Sequence, residues 1–117
     1  DDPWEELALG AEAFLDACLT PEVQRIMLLD GPSVLGWDVW RAIDTDHGLG
    51  MLEGAVKNAM DAGRLLHGSS TAVAHVLTGA LDEAAMVVAR ADDPVAARHE
   101  MGLTVRRLLE GLRGPTA

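Results

Sequence analysis

The sequence predicts an all-α protein, an antiparallel bundle of about six helices. Three observations carry this. Pro3, Pro21 and Pro94 each follow a good helix-capping residue, namely Asp2, Thr20 and Asp93. Proline suits the first helical position because its missing N–H would have no partner there. Apolar residues recur at helical spacing through most of the chain, while no run alternates cleanly as a strand would. Tyr is absent and Phe occurs once, which removes much of the usual strand vocabulary. The connections are short, which favours antiparallel neighbours.

The first predicted helix covers about 3–19, with Leu7, Ala11, Phe14, Leu15 and Cys18 at helical spacing. Asp2 and Glu5 have the spacing of a capping box. A second covers about 21–30, turning Val23, Ile26, Met27 and one of Leu28 or Leu29 inward. Asp30-Gly31-Pro32 stops it and starts a third, about 32–46, on which Val34, Trp37 and Trp40 share a face. Gly48 reads as the terminator that separates this from a fourth helix, about 49–62, itself ended by Gly63. Ser69-Ser70-Thr71 offer N-caps for a fifth, about 70–91, the longest and most apolar. The sixth, about 94–113, carries Met101, Val105, Leu108 and Leu112 on one stripe and ends at Gly114-Pro115. Gly10, Gly36, Gly54, Gly79, Gly102 and Gly111 fall inside these helices, each at a cost of about 1 kcal/mol relative to alanine. Such glycines mark either close backbone approach or the tolerance of a Gly- and Ala-rich composition.

At 117 residues the chain has room for one domain, spanning 1–117, with a single core. Its apolar share of 49% fits a folded protein and not a disordered one. No uninterrupted apolar run approaches the roughly 18 residues of a membrane span, so no membrane partner is expected. The start, Asp1-Asp2-Pro3, lacks both Met and a basic lead into an apolar segment, which predicts no signal peptide and a piece of something longer. Nine Lys and Arg face 19 Asp and Glu, a formal net charge of −10. Such a surface repels a phosphate backbone, so this piece is not expected to hold DNA or RNA itself. Cys18 stands alone, which rules out an internal disulfide and fits a reducing, cytoplasmic setting.

No constellation points to catalysis, a metal or a cofactor, so the chain is read as a non-enzyme. His75, Asp82, Glu83, His99 and Glu100 lack the convergent spacing of metal ligands. Asp44-Thr45-Asp46-His47-Gly48 opens like a calcium loop, but Ala55 stands where the bidentate Glu is required. Ser33, Ser69, Ser70 and Cys18 sit in no nucleophile frame. Trp37 and Trp40 are first of all core residues. Together with Phe14, Cys18, Met27, Met51 and Met60 they are also what adaptable apolar pockets are lined with.

Four segments, in order, carry a resemblance. They are Ala13-Phe14-Leu15-Asp16-Ala17-Cys18-Leu19-Thr20-Pro21-Glu22-Val23-Gln24-Arg25-Ile26, Asp30-Gly31-Pro32-Ser33-Val34-Leu35-Gly36-Trp37, Gly79-Ala80-Leu81-Asp82-Glu83-Ala84-Ala85 and Ala89-Arg90-Ala91-Asp92-Asp93-Pro94. The ending Arg107-Leu108-Leu109-Glu110-Gly111-Leu112-Arg113 fits as well. Through these the chain resembles the C-terminal regulatory domain of TetR-type transcriptional regulators over nearly its whole length.

The resemblance implies a ligand-sensing and dimerisation domain that controls operator binding by an N-terminal helix-turn-helix absent from this chain. It implies a homodimer through the fifth and sixth helices, with Gly79, Ala80, Ala84, Met101, Val105, Leu108 and Leu112 at the contact. It implies a small, mostly apolar effector near Phe14, Cys18, Met27, Val34, Trp37, Trp40, Leu52 and His75, with Asp38, Arg41 or His75 as polar anchors. Operator DNA would be held through the missing domain alone. Two other readings of the residues stay open: a stand-alone helical domain that binds a small molecule or a protein and has no DNA role, and a small helical enzyme, which no acid–base pair in the sequence recommends.

Overall fold

A computed structural model describes residues 2–22 and 37–114, with residues 37–48 as backbone only. It places α1 at Pro3–Ala17, α2 at Trp37–Asp61, α3 at Ser70–Arg90 and α4 at Pro94–Gly111. These are four helices among the described residues, where the sequence predicts six. The third and fourth predicted helices are one, because α2 runs without a break through Gly48 and Gly50. A helix-terminating glycine takes positive φ, and among the described glycines that conformation belongs to Gly63, at 74°. Gly48 therefore carries only its propensity cost of about 1 kcal/mol, too little to break a helix whose far end is anchored in the core. Of the second predicted helix, only Pro21 and Glu22 lie within the described residues, and both are helical.

The predicted starts of α1, α3 and α4 hold. Asp2 accepts a bond from the Trp4 amide at 3.0 Å, Ser69 from Ala72 at 3.1 Å and Asp93 from Ala96 at 3.2 Å. Each satisfies an amide that the first turn leaves without a partner. Glu5 does not complete a capping box in the expected form: Asp2 serves Trp4, and the Glu5 carboxylate is taken by Arg106. At the end of α2, Arg64 N–H reaches the Ala59 carbonyl at 2.9 Å and Gly63 N–H the Met60 carbonyl at 3.0 Å. This is a Schellman motif, and it needs the left-handed residue that Gly63 supplies.

The core follows from the helical spacing. α1 buries Trp4, Leu7, Ala8, Ala11 and Leu15 against Val56, Ala59 and Met60 of α2, Leu77 and Ala84 of α3, and Val105 and Leu109 of α4. A smaller cluster joins Cys18 to Ala85 and Val88. Trp4 is fully buried, and its indole Nε1–H donates to the Leu109 carbonyl at 2.9 Å. The Arg113 and Arg106 guanidiniums lie 4.4 and 5.3 Å from its ring centre.

α1 and α4 run antiparallel, and a ladder of charges records it. Near the start of α1, Glu5 binds Arg106 at 3.1 Å; Glu12 binds Arg106 at 3.3 Å; near its end, Asp16 binds Arg98 at 2.6 Å. The C-terminal strand of chain is pinned beside the α2–α3 loop, where Leu66 N–H donates to Leu112 and Gly114 N–H to Arg64, both at 2.8 Å. A Cβ at Gly114 would collide with the Gly63 carbonyl, so this glycine serves close approach as well as helix termination. α3 is long and apolar enough to cross a membrane by composition, with mean hydropathy 1.4 over its best window. Ala74, Leu77, Ala84, Ala85 and Val88 instead bury its inner side within the bundle.

Candidate functional site

The four helices do not close completely. Between them lies a cavity of about 340 Å³, near the lower end of the size range for small-molecule sites. α1 contributes Glu6, Leu7, Gly10, Ala11 and Phe14; α2 contributes Met51, Leu52 and Ala55. α3 contributes Leu77, Thr78, Leu81 and Asp82, and α4 closes it with Val105 and Leu109. On α3, Leu77 and Leu81 are one turn apart, as are Thr78 and Asp82, so an apolar row and a polar row run side by side along the wall. Gly10 leaves the opposite wall thin, and a Cβ built there meets nothing within 4 Å.

The walls are mostly apolar, and the polar exceptions are few. Glu6 and Asp82 bring two carboxylates, and no Lys, Arg or His is among the described lining residues. The Thr78 Oγ1 atom is buried and has no hydrogen-bond partner among the described residues. A buried hydroxyl without a partner costs about 1–3 kcal/mol, so it is a place where a ligand atom would be welcome. Beyond the cavity, burial and then the charge of Asp82 raise the Cys18 thiol above its ordinary range, while its Sγ–H donates to the Phe14 carbonyl at 3.3 Å. Cys18 is therefore a packed, unreactive thiol at neutral pH.

Of the residues expected around an effector, Phe14 and Leu52 line this cavity. Cys18 does not; it sits in the smaller cluster with Ala85 and Val88. His75 is exposed on α3 and outside the lining, because the neighbouring Ala74 holds the inward direction at that turn. Met27 and Val34 lie outside the described residues, as do the side chains of Trp37, Trp40, Asp38 and Arg41. The polar anchors the cavity does present are Glu6, Thr78 and Asp82, which sequence reasoning missed. The signal was available in the i, i+4 pair Thr78 and Asp82, next to Leu77 and Leu81 on the most apolar helix.

The residues expected at a two-fold contact divide. Ala84 and Val105 are only 5% and 7% exposed and belong to the chain's own core. Met101 and Leu112 are partly buried against that core, and Gly79 and Ala80 are partly buried. Leu108 is exposed. The stripe Met101, Val105, Leu108, Leu112 thus straddles the edge of the inward face, which is centred on Gly102, Val105 and Leu109 by the Trp4–Leu109 bond. The outer side of α3 instead exposes Val76 and Val87, at 71% and 38%, in line with Ala80 and Glu83.

Comparisons with known proteins agree with this architecture. A model of the tetracyclin repressor-like C-terminal domain matches residues 4–112. The fold superposes on the crystal structure of a TetR-family transcriptional regulator from Pectobacterium atrosepticum with a TM-score of 0.86 and 30% identity. That match covers 97% of this chain and 57% of the other, so the chain spans little more than half of that regulator's length. No match was found among curated protein sequences. By the extent of the family match and the shared fold, the chain belongs to the tetracyclin repressor-like C-terminal domain family, the regulatory half of TetR-type transcriptional regulators.

Proposed function

We propose that residues 1–117 form one effector-binding and dimerisation domain of a cytoplasmic TetR-type regulator. In this reading the domain binds a small, mostly apolar molecule without transforming it, and an N-terminal helix-turn-helix outside this chain holds the operator. The observation that carries it is the open cavity of about 340 Å³, lined by all four helices, with mostly apolar walls and three polar points. Ligand occupancy would shift the domain between a DNA-competent and a DNA-incompetent arrangement, which requires unequal affinity for the two. The homodimer would use the outer side of α3 around Val76 and Val87, with the partly buried Ala80 between them, and Leu108 of α4; Val76, Val87 and Leu108 are apolar positions the monomer leaves to solvent. The domain's charge of −10 argues against DNA contact by this chain.

The test is a thermal-shift screen of small apolar compounds on the chain and on Gly10→Leu. The new side chain enters open space in the cavity wall, so the variant is expected to fold with unchanged or higher Tm. Ligands that stabilise the parent by mass action should lose their effect in it. Hits that stabilise Gly10→Leu equally would place the binding site elsewhere. Sedimentation showing a monomer at micromolar concentration would remove the dimer from the proposal.

A further inference from the structure

We propose that two copies of this chain meet along α4, antiparallel across a two-fold axis beside Leu103 and Thr104, so that Glu100 of each copy pairs with Arg107 of the other. The inference rests on the homodimer proposed above and adds its register and the charges that fix it. The outer side of α4 carries Ala96, Glu100, Leu103, Thr104, Arg107 and Gly111 at helical spacing, and all six are exposed. The steps between them are four, three, one, three and four residues, a spacing that reads the same in both directions. The chemistry is self-complementary in the same order: small residue, acid, Leu-Thr centre, base, small residue. A two-fold axis at the centre lays Ala96 on the partner's Gly111, Glu100 on the partner's Arg107 and Leu103 on the partner's Thr104. In such a contact every pair occurs twice. A Cβ built at Gly111 meets nothing within 4 Å, so the end of the stripe stays open to a neighbour.

The charges argue for the same register. The chain holds 19 acidic residues against nine Lys and Arg, and Arg64, Arg98, Arg106 and Arg113 are each bound to carboxylates. Arg107 and Glu100 have no ion-pair partner among the described residues. The helix itself denies them one. Three and four residues from Glu100 stand Ala96, Ala97, Leu103 and Thr104. At the same offsets from Arg107 stand Leu103, Thr104, Glu110 and Gly111, and Glu110 is taken by Arg113 at 3.5 Å. Glu100 and Arg107 lie two turns apart, about 10 Å along the axis, too far to bond each other. Between them the Thr104 hydroxyl donates to the Glu100 carbonyl at 2.9 Å, so the centre brings no unpaired side-chain polar group to the contact. Leu103 and Leu108, the latter one turn from both Thr104 and Gly111, are left to solvent in the monomer. A patch with one acid and one base is also where two copies of charge −10 approach with least repulsion.

The experiment is sedimentation equilibrium of the 117-residue chain at about 150 mM salt, where exposed charges are screened beyond roughly 8 Å. Glu100→Arg and Arg107→Glu each set like charges opposite one another twice. Each should raise the dimer Kd about tenfold or more, although the two shift the net charge in opposite directions. The double variant Glu100→Arg/Arg107→Glu restores both pairs in reverse and should return Kd to within about threefold of the parent's. An equimolar mixture of the two single variants likewise restores opposite charges at both ends, and should dimerise more tightly than either alone. Far-UV circular dichroism checks that each variant is folded, as expected for exposed positions. A dimeric parent whose Kd neither single variant changes would overturn this register and leave the dimer standing on α3. So would weakened single variants that neither the double variant nor the mixture rescues. A monomeric parent would overturn both the register and the dimer.

Discussion

Replacing Trp4 with phenylalanine removes three separable contributions, and the structure allows each to be sized. The indole Nε1–H bond to Leu109 is lost; because Leu112 N–H also donates to that carbonyl at 3.1 Å, the acceptor keeps a partner. The loss is then the ordinary net value of about 1 kcal/mol and not the larger penalty of an orphaned group. Phenylalanine lacks the pyrrole half of the ring, and at a fully buried site the missing contacts and residual void cost about 1–2 kcal/mol. The guanidiniums of Arg113 and Arg106 face a weaker π surface, worth roughly 0.5 kcal/mol. The sum is about 3 kcal/mol, a large part of the stability of a small domain, and a fall in Tm on the order of 10 °C. Equilibrium urea unfolding followed by far-UV circular dichroism, with the slope unchanged, measures it. A loss below about 1 kcal/mol would refute the claim that this side chain ties the start of α1 to the end of α4.

Three further outcomes follow from single contacts. Gly54→Ala on α2 should raise stability by about 1 kcal/mol in the same unfolding assay, since a Cβ there meets nothing, whereas Gly63→Ala should lower it by about 1–2 kcal/mol because φ is 74°. Arg98→Ala should cost about 1 kcal/mol, reduced by solvent at its exposed partner Asp16, and the cost should shrink as salt is raised from 50 mM to 500 mM. The Cys18 thiol, held up by burial and by Asp82, gives stability that is complete below the ordinary thiol range and lost as pH rises through its raised value. A Cys18→Ala chain should therefore lose less stability than the parent between pH 8 and pH 10, and equal losses would count against the shift.

Much of the bundle was legible because its signals are local. Asp2-Pro3, Asp93-Pro94 and Ser69 sit next to the amides they cap, and Leu7, Ala11 and Leu15 need only helical geometry to share a face. The division into six failed at Gly48 because glycine alone does not end a helix. Gly63 does so through two backbone bonds to Ala59 and Met60 that composition cannot reveal. Which side of α4 faces inward was not legible from its apolar stripe, Met101, Val105, Leu108 and Leu112. Val105 fits both the predicted stripe and the real face, and only the long-range bond from Trp4 to Leu109 decides between them. The cavity was least legible, since a void is the absence of side-chain volume. Gly10 and Ala11 mark it on α1, but small residues mark close packing just as well until the opposite wall is known.

The two sides of α1 suggest how occupancy of that void would be felt elsewhere in the chain. Glu6, Gly10 and Ala11 line the cavity, while Glu5, Glu12 and Asp16 are bound to Arg98 and Arg106 on α4. Leu7 and Ala11 also belong to the core shared with α2, α3 and α4. A ligand that pushes on the cavity side moves a rigid helix whose opposite side is tethered through arginines at two levels and whose first turn is clamped by Trp4. Such a helix responds by sliding or tilting as a unit and not by bending, because packed interfaces have discrete arrangements. The levels of the ladder differ: Arg106 spans Glu5 and Glu12, while Arg98 spans Glu12 and Asp16, so Glu12 is common to both. Glu12→Gln should then weaken both levels at once. Its expected signature is a ligand-induced Tm rise different from the parent's, with the unliganded Tm lowered by less than about 1 kcal/mol would account for, as befits exposed pairs. If the ligand response is unchanged while Arg98→Ala and Arg106→Ala each alter it, the two levels act separately and Glu12 is no link between them.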